Sequence, residues 1–292
     1  MSKEAKVKPE VLQAIKQTAE ISELPSDVKA MLLDSCKEVD GYKVYNTTNY
    51  DIFKRLLGNR DTTCVKKIIE SIQKIGYVDN PLIVNENLEI IDGQNRLEAF
   101  KTLNLTVPFH IVYGIGINEA RQMNIGRGNW KPLDWVKSYA ETGNESYKKL
   151  LEFYEFTHFD APLLVQLSRR LVSSKGISTK IFSSGTYEMT TEEKNTLSGI
   201  LPWVIKMKPY LDAMSGSKRL SYMAFAYIYN VEGVDRKRVE KIIEKDYFNI
   251  TPYPDVETYL KEISRIYNKG LKTKGTFRFD YIYMSNGVVT NE

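Results

Sequence analysis

The hydropathy pattern of this chain changes period once. Between Tyr42 and Val112 short apolar runs alternate with helix-spaced stretches, and after Asn118 the helical spacing continues almost to the end. Strands confined to one segment and helices filling the rest cannot build a barrel or a sandwich over the whole length. They predict an α+β chain, a small mixed α/β domain followed by an all-helical half.

In the mixed segment the spacing predicts a strand at 42–45 and a helix at 63–75, with Val65, Ile68, Ile69 and Ile72 on one face and Gly76 as its stop. A strand at 81–84, a turn at Asn85–Asn87 and a second strand at 88–91 follow; Asp92-Gly93 then opens a helix at 94–103, and a last strand runs over 107–112. Helices are expected at 118–124, 131–141, 145–156, 160–172, 176–184, 191–213, 217–229, 234–246 and 254–269. Residues 1–40 read as a helical arm. The domain boundaries expected from this pattern are 1–40, 41–130, 131–190 and 191–292. In the last of these Trp203, Tyr210, Leu211, Tyr222, Phe225 and Tyr229 read as core, and the aromatic–polar alternation of Gly275 to Tyr283 reads as a short strand or an extended tail.

Composition removes several kinds of chemistry. Two cysteines, Cys36 and Cys64, and two histidines, His110 and His158, supply none of the spacings of a structural zinc site, so no metal is expected. A nucleophilic Ser–His or Cys–His site has only His110 or His158 to draw on, and neither sits in a recognisable motif. No apolar run approaches the roughly 18 residues of a membrane span, and Met1 to Lys6 lacks the apolar core of a secretory signal; a cytoplasmic protein without a membrane partner is expected. The net charge of +4 is too even to announce a polyanionic partner, so the distribution matters more.

The most informative segment is Glu89-Ile90-Ile91-Asp92-Gly93-Gln94-Asn95-Arg96-Leu97-Glu98-Ala99-Phe100. A strand that passes through a glycine directly into a helix leaves free N–H groups, and the positive helix end, facing whatever lies before it. Gly93 permits close backbone approach, and Arg96 in the first helical turn can add a bidentate contact to a phosphate. Asp92 reads as the cap of the helix that begins at Gln94. Asp92 and Glu98, separated along strand, turn and helix, do not make the carboxylate cluster of a metal-dependent nuclease.

The ordered elements from Lys66 to Val112, a helix ending in Gly, a Pro-led strand, a second strand and the Gly93-x-x-Arg96 turn, resemble the N-terminal domain of ParB-type partition proteins and of the wider ParB/sulfiredoxin superfamily. Asn59-Arg60 upstream and Glu119 to Arg127 downstream are similar to the flanking elements of that family, and the resemblance covers residues 42–137. It implies a nucleotide, CTP or ATP, with Gly93, Gln94, Asn95 and Arg96 along its phosphates, Asn59 and Arg60 beside them, and Asn124 and Arg127 closing the site. Two departures weaken the implied chemistry. Gln94-Asn95 stands where many partition proteins carry Glu-Arg, and Met123 stands where they carry a Glu that would bind Mg²⁺, so neither Mg²⁺ nor hydrolysis is expected. The turn also lacks the cysteine nucleophile of a sulfiredoxin.

Residues 161–185 carry Arg169, Arg170, Lys175 and Lys180 and no acid. An apolar helix face through Leu163, Leu164, Leu167 and Leu171, a Ser173–Gly176 turn and a small polar helix bearing Ser178, Thr179, Lys180 and Ser183 outline a helix-turn-helix. Its position after the nucleotide domain matches the order in partition proteins, which makes DNA the expected partner and a homodimer compatible with the resemblance. A second cluster, Lys261, Arg265, Lys269, Lys272, Lys274 and Arg278 among Tyr259, Tyr267, Phe277 and Phe279, reads more simply as a helix end with core aromatics. The leading expectation is a DNA-binding regulatory or partition-type protein of phage, plasmid or mobile-element kind. The alternatives are a nucleotide-dependent nuclease or phosphotransferase on the same pocket, and a protein-interaction module with a degenerate one.

Overall fold

The computed structural model describes residues 36–39, 42–128, 130–169, 177–178, 180–214, 218–229, 231–250, 253–271 and 278. They fall into two compact units, the first ending at Trp130 and the second beginning at Lys131. Helices and a small mixed sheet occupy the first, and helices alone the second, so the chain is α+β with an all-helical C-terminal half.

The first unit runs β1 (Cys36–Val39), β2 (Tyr42–Thr47), a 3-10 turn (Tyr50–Ile52), β3 (Lys54–Arg55), α1 (Val65–Ile75), β4 (Leu82–Val84), β5 (Glu89–Asp92), α2 (Gln94–Leu103), β6 (Val107–Ile111) and α3 (Ile117–Arg127). The sheet order is β1-β2-β6-β4-β5-β3, with β6–β4 and β5–β3 parallel and the other neighbours antiparallel. Strand side chains alternate between faces, and the two faces have separate cores. Leu82, Val84 and Ile90 pack with Leu97 and Phe100 of α2 and with Phe109. Ile91 joins Leu56 and Ala120 of α3 on the other face, with Ile83 and Met123 packed against them. The purely apolar β4 and the Ile90-Ile91 pair in β5 are what a strand covered by helices on both sides requires.

Two strands depart from the sequence expectation. Cys36–Val39, assigned to the helical arm, is β1, paired antiparallel with β2 in a register that sets Val39 against Tyr42. Asp40-Gly41, the dipeptide between them, is the two-residue hairpin signal that the helical spacing upstream obscured. The remainder of the arm, residues 1–35, lies outside the described residues. β3 is two residues long, too short for any periodicity to show, and exists because Lys54 N–H reaches the Leu88 carbonyl at 2.9 Å.

The second unit comprises α4 (Pro132–Glu141), α5 (Glu145–Thr157), α6 (Ala161–Ser168), α7 (Lys180–Ser183), α8 (Thr191–Ala213), α9 (Lys218–Tyr229), α10 (Arg236–Asp246), a 3-10 turn (Tyr247–Asn249) and α11 (Val256–Asn268). The long α8 is its axis. Leu197, Ile200, Leu201, Val204, Met207 and Leu211 form a buried stripe at three- and four-residue steps. Thr190 Oγ1 accepts from Glu193 N–H at 3.1 Å and Glu193 Oε2 accepts from Thr190 N–H at 3.0 Å, a reciprocal cap that fixes the start of α8. Trp203 stacks on Phe225 of α9 at 3.8 Å. Trp203, Leu211, Tyr222 and Phe225 are buried as expected, while Tyr210 and Tyr229 are half-buried. Among the described residues, no helix is long and apolar enough to cross a membrane.

The helix-turn-helix outline is described only in part, since its turn at Ser173–Gly176 lies outside the described residues. The expected helix at 160–172 is α6, ending at Ser168, and seven of its eight residues are buried, so it is a core helix rather than one laid across a DNA backbone. The expected helix at 176–184 is the single turn α7; Ile177 and Ser178 are not helical. Polar contacts with the core shape this segment instead. Tyr147 Oη donates to the Phe182 carbonyl at 3.0 Å and Tyr139 Oη to the Ser183 carbonyl at 3.1 Å, and Phe182 is fully buried. Gly185, at φ +73°, then turns the chain under Tyr139, where a Cβ would sit 2.6 Å from the ring. Arg170 to Gly176 and Thr179 lie outside the described residues, as does most of the alternating tail from Gly275 to Tyr283.

Candidate functional site

The turn between β5 and α2 is built around Gly93. Its φ of +114° and ψ of 13° suit glycine alone, and a Cβ there would lie 2.4 Å from Leu82 Cδ2 and 3.0 Å from Arg96 Nη2. Gly93 accepts the first α2 bond through its carbonyl, from Leu97 N–H at 2.9 Å. Among the described residues no side chain caps the helix, so the N–H groups of Gln94, Asn95 and Arg96 face outward with the positive end of the helix dipole.

Asp92 is not the cap its position suggested. A carboxylate one residue before a left-handed glycine is carried past the helix axis, and Asp92 Oδ2 instead accepts from Arg96 Nη2 at 3.3 Å and from Arg127 Nη1 at 3.2 Å. Arg127 is 35 positions downstream, on the last turn of α3, yet it meets Arg96 on one oxygen atom. Arg96 Nη2 also reaches the Pro81 carbonyl at 3.3 Å. Its Nε and the Nε2 of Gln94 are buried nitrogens with no partner among the described residues. Buried donors of that kind are costly unless a ligand or water takes them.

The remaining expected site residues divide into positioning groups and open ones. Asn95 is buried, and its Oδ1 accepts from Thr63 N–H at 2.8 Å and Cys64 N–H at 2.9 Å, so its side chain ties the entry of α1 to the turn while its own N–H stays at the helix mouth. Asn59 is buried against β5, donating through Nδ2 to the Ile90 and Ile91 carbonyls at 2.9 and 3.2 Å and accepting from Arg60 N–H at 3.0 Å. Arg60 is half-buried beside it. Asn124 bonds back to the Ala120 carbonyl of its own helix at 2.7 Å. Met123, one residue earlier, packs in the core face formed by Leu56, Ile91 and Ala120, which gives an apolar reason for the residue that stands where a Mg²⁺ ligand was sought. Among the described residues no group of three His, Cys, Asp or Glu side chains could hold a metal ion.

Two ionisable groups feel Arg96 without having been anticipated. Burial pushes the His110 imidazole below its ordinary value, and the Arg96 charge pushes it further. Burial raises the Tyr77 phenol, against smaller lowering effects from its hydrogen bond with Asn80 N–H and from Arg96. Neither residue carries a sequence signal, because β6 and the loop after α1 reach Arg96 only in the folded sheet.

In the second unit, Arg169 donates through Nε to Glu193 Oε1 at 2.7 Å and lies over the Tyr187 ring at 5.7 Å. Ser178 and Lys180 are exposed, and Arg170, Lys175 and Thr179 lie outside the described residues. In the second cluster Lys261 pairs with Glu257 and Arg265 with Glu262, both at 2.6 Å, Tyr259 and Tyr267 are core, and Lys272, Lys274 and Phe277 lie outside the described residues.

No protein-family model matches the chain, and no solved structure matches it. The chain is similar to the probable chromosome-partitioning protein ParB of Helicobacter pylori (strain ATCC 700392 / 26695), with 29% identity over 116 residues. That stretch is 38% of this chain and 37% of the Helicobacter protein, so the chain spans little more than a third of its relative's length.

Proposed function

We propose that this protein is a ParB-like DNA-binding protein, acting in partition or regulation for a phage, plasmid or mobile element, and that its Gly93 turn holds the phosphates of a nucleotide such as CTP or ATP. The observation that carries the reading is the convergence of Arg96 and Arg127 on Asp92 Oδ2 at a helix N-terminus that no side chain caps. The unpartnered nitrogens of Gln94 and Arg96 support it, because they are buried donors on two residues of the same turn. The likeness to the Helicobacter ParB supports the same class. In this reading the N–H groups of Gln94, Asn95 and Arg96 take phosphate oxygens, and the two guanidiniums exchange Asp92 for the nucleotide's charge. Asn59 and Asn95 keep β5 and the entry of α1 in place around it. The bound nucleotide contributes negative charge that biases the conformation or self-association of the chain, and a homodimer belongs to the same reading. The DNA backbone is met by the acid-free 161–185 stretch, through Ser178 and Lys180 together with Arg170, Lys175 and Thr179.

Calorimetry with CTP, ATP and GTP on the wild type and Arg96→Ala tests the pocket, with gel retardation of duplex DNA alongside. One nucleotide is expected to bind, and its affinity to fall at least about tenfold in Arg96→Ala, the loss of one hydrogen bond from a charged donor. Absence of heat with all three removes the nucleotide from the reading, and absence of retardation removes the DNA.

A further inference from the structure

α10 carries its glutamates and its lysines on adjoining flanks. Glu240 turns toward α8, where it accepts from Trp203 Nε1 at 2.8 Å and pairs with Lys206 Nζ at 2.6 Å, and Glu244 acts on the same lysine. Lys237, Lys241 and Lys245 recur at four-residue steps on the neighbouring flank, all exposed, with Lys237 close enough to act on Glu240. They line a groove of about 620 Å³ that ends at Lys269, the cap of α11. Among the described residues none of these four lysines forms an ion pair.

The groove also contains two carboxylates and an arginine, and their roles are accounted for. Asp235 Oδ1 caps α10 by accepting from Arg238 N–H at 3.2 Å, and Asp246 lies half-buried at the other end of the helix. Arg238 is turned inward, donating to the Tyr267 carbonyl at 2.7 Å and the Lys269 carbonyl at 3.0 Å, which fixes the end of α11 beside α10. The groove therefore sets four lysines and the inward-turned Arg238 against two aspartates, and is positive on balance.

We infer that the groove between α10 and the end of α11 is a second nucleic-acid surface, contacting the phosphate backbone of duplex DNA without reading its sequence. Lysine is a flexible point charge suited to phosphate rather than to base edges. At 1.5 Å rise per residue the stripe from Lys237 to Lys245 is about 12 Å long, a length over which a duplex presents roughly seven phosphates. An anionic bilayer fits less well, since an interfacial helix needs a broad exposed apolar face, and of the apolar residues of α10 Val239 and Ile243 are fully buried and Ile242 is half-buried in the groove. An acidic protein fits less well too, since the exposed wall offers no aromatic anchor. The inference rests on the DNA-binding reading above and adds a site the 161–185 stretch does not include.

The test is fluorescence anisotropy of a labelled duplex of arbitrary sequence, titrated with the full chain across salt concentrations. Replacing Lys237, Lys241, Lys245 and Lys269 together by Gln is expected to reduce the slope of log affinity against log salt by about 3–4, and to weaken binding roughly a hundredfold to a thousandfold at 0.15 M salt. The same four changes to Arg are expected to keep the slope, and circular dichroism to show both variants folded. Wild-type binding with an unchanged slope in the Gln variant overturns this inference and leaves the DNA reading standing. No duplex binding by the wild type overturns both. Capture of phosphatidylserine vesicles by the wild type but not the Gln variant, without duplex binding, assigns the groove to an anionic surface and also overturns it.

Discussion

A single methyl group at Gly93 tests whether the turn is built around its backbone. Gly93→Ala places a side chain at φ +114°, beyond the left-handed region that L residues tolerate, at a cost of at least about 1–2 kcal/mol. The new Cβ lies 2.4 Å from Leu82 Cδ2, and Leu82 is fully buried with Val84, Ile90 and Phe100, so it has nowhere to move without disturbing the sheet. Overpacking of that kind adds about 1–3 kcal/mol. The sum, about 2–5 kcal/mol, is a large share of the roughly 5–15 kcal/mol that stabilises a domain. Urea unfolding followed by far-ultraviolet circular dichroism should show a midpoint lowered by on the order of 1–2 M. Leu82→Val removes the atom that clashes, so the Ala change should cost about 1–3 kcal/mol less in that background than in the wild type. A Gly93→Ala protein within about 0.5 kcal/mol of the wild type, or strict additivity with Leu82→Val, refutes the reasoning.

Two further predictions concern charge at the same turn. Asp92→Asn removes the carboxylate that competes with a phosphate for Arg96 and Arg127, so inorganic pyrophosphate should bind more tightly by calorimetry; weaker binding makes Asp92 an orienting group instead. His110, whose ordinary pKa is 6.5, is held lower in the fold by burial and by Arg96, so the folded state binds fewer protons than the unfolded. Stability should therefore decline as pH falls through the unfolded value near 6.5 and level off below the folded one; His110→Gln should flatten that decline in urea midpoints measured at several pH values from neutral downward.

The elements of both units were legible where local pattern determines them. The α2 helix begins and ends where the Asp92-Gly93 signal and the apolar spacing placed it, and α8 follows its Leu197–Leu211 stripe. Legibility failed where long-range contacts decide the structure. β3 exists through its parallel pairing with β5, and the single turn α7 is tied to the core by Tyr147 and Tyr139 at the carbonyls of Phe182 and Ser183. Acid-free composition at 161–185 marked a surface, but it could not reveal that α6 is core or that Glu193 holds Arg169. The turning of Glu240 toward Trp203 on α8 likewise carries no local signal.

The Gly93 turn shows the same division. The sequence spacing put Gly93 and Arg96 together because three residues of helix do so in any protein. Spacing alone could not bring in Arg127, which only the family resemblance set at the site; it meets Arg96 because β5 is covered by α2 on one face and α3 on the other. Asp92 resolves the consequence of that meeting. Two guanidiniums near a positive helix end, one of them only 18% exposed, are unfavourable neighbours without an anion. One carboxylate neutralises half of their charge and leaves the mouth at about +1 plus the roughly +0.5 of the helix end. That residual attracts a multiply charged phosphate more strongly than a chloride or a single carboxylate, which is the selectivity a nucleotide site needs and a structural salt bridge does not.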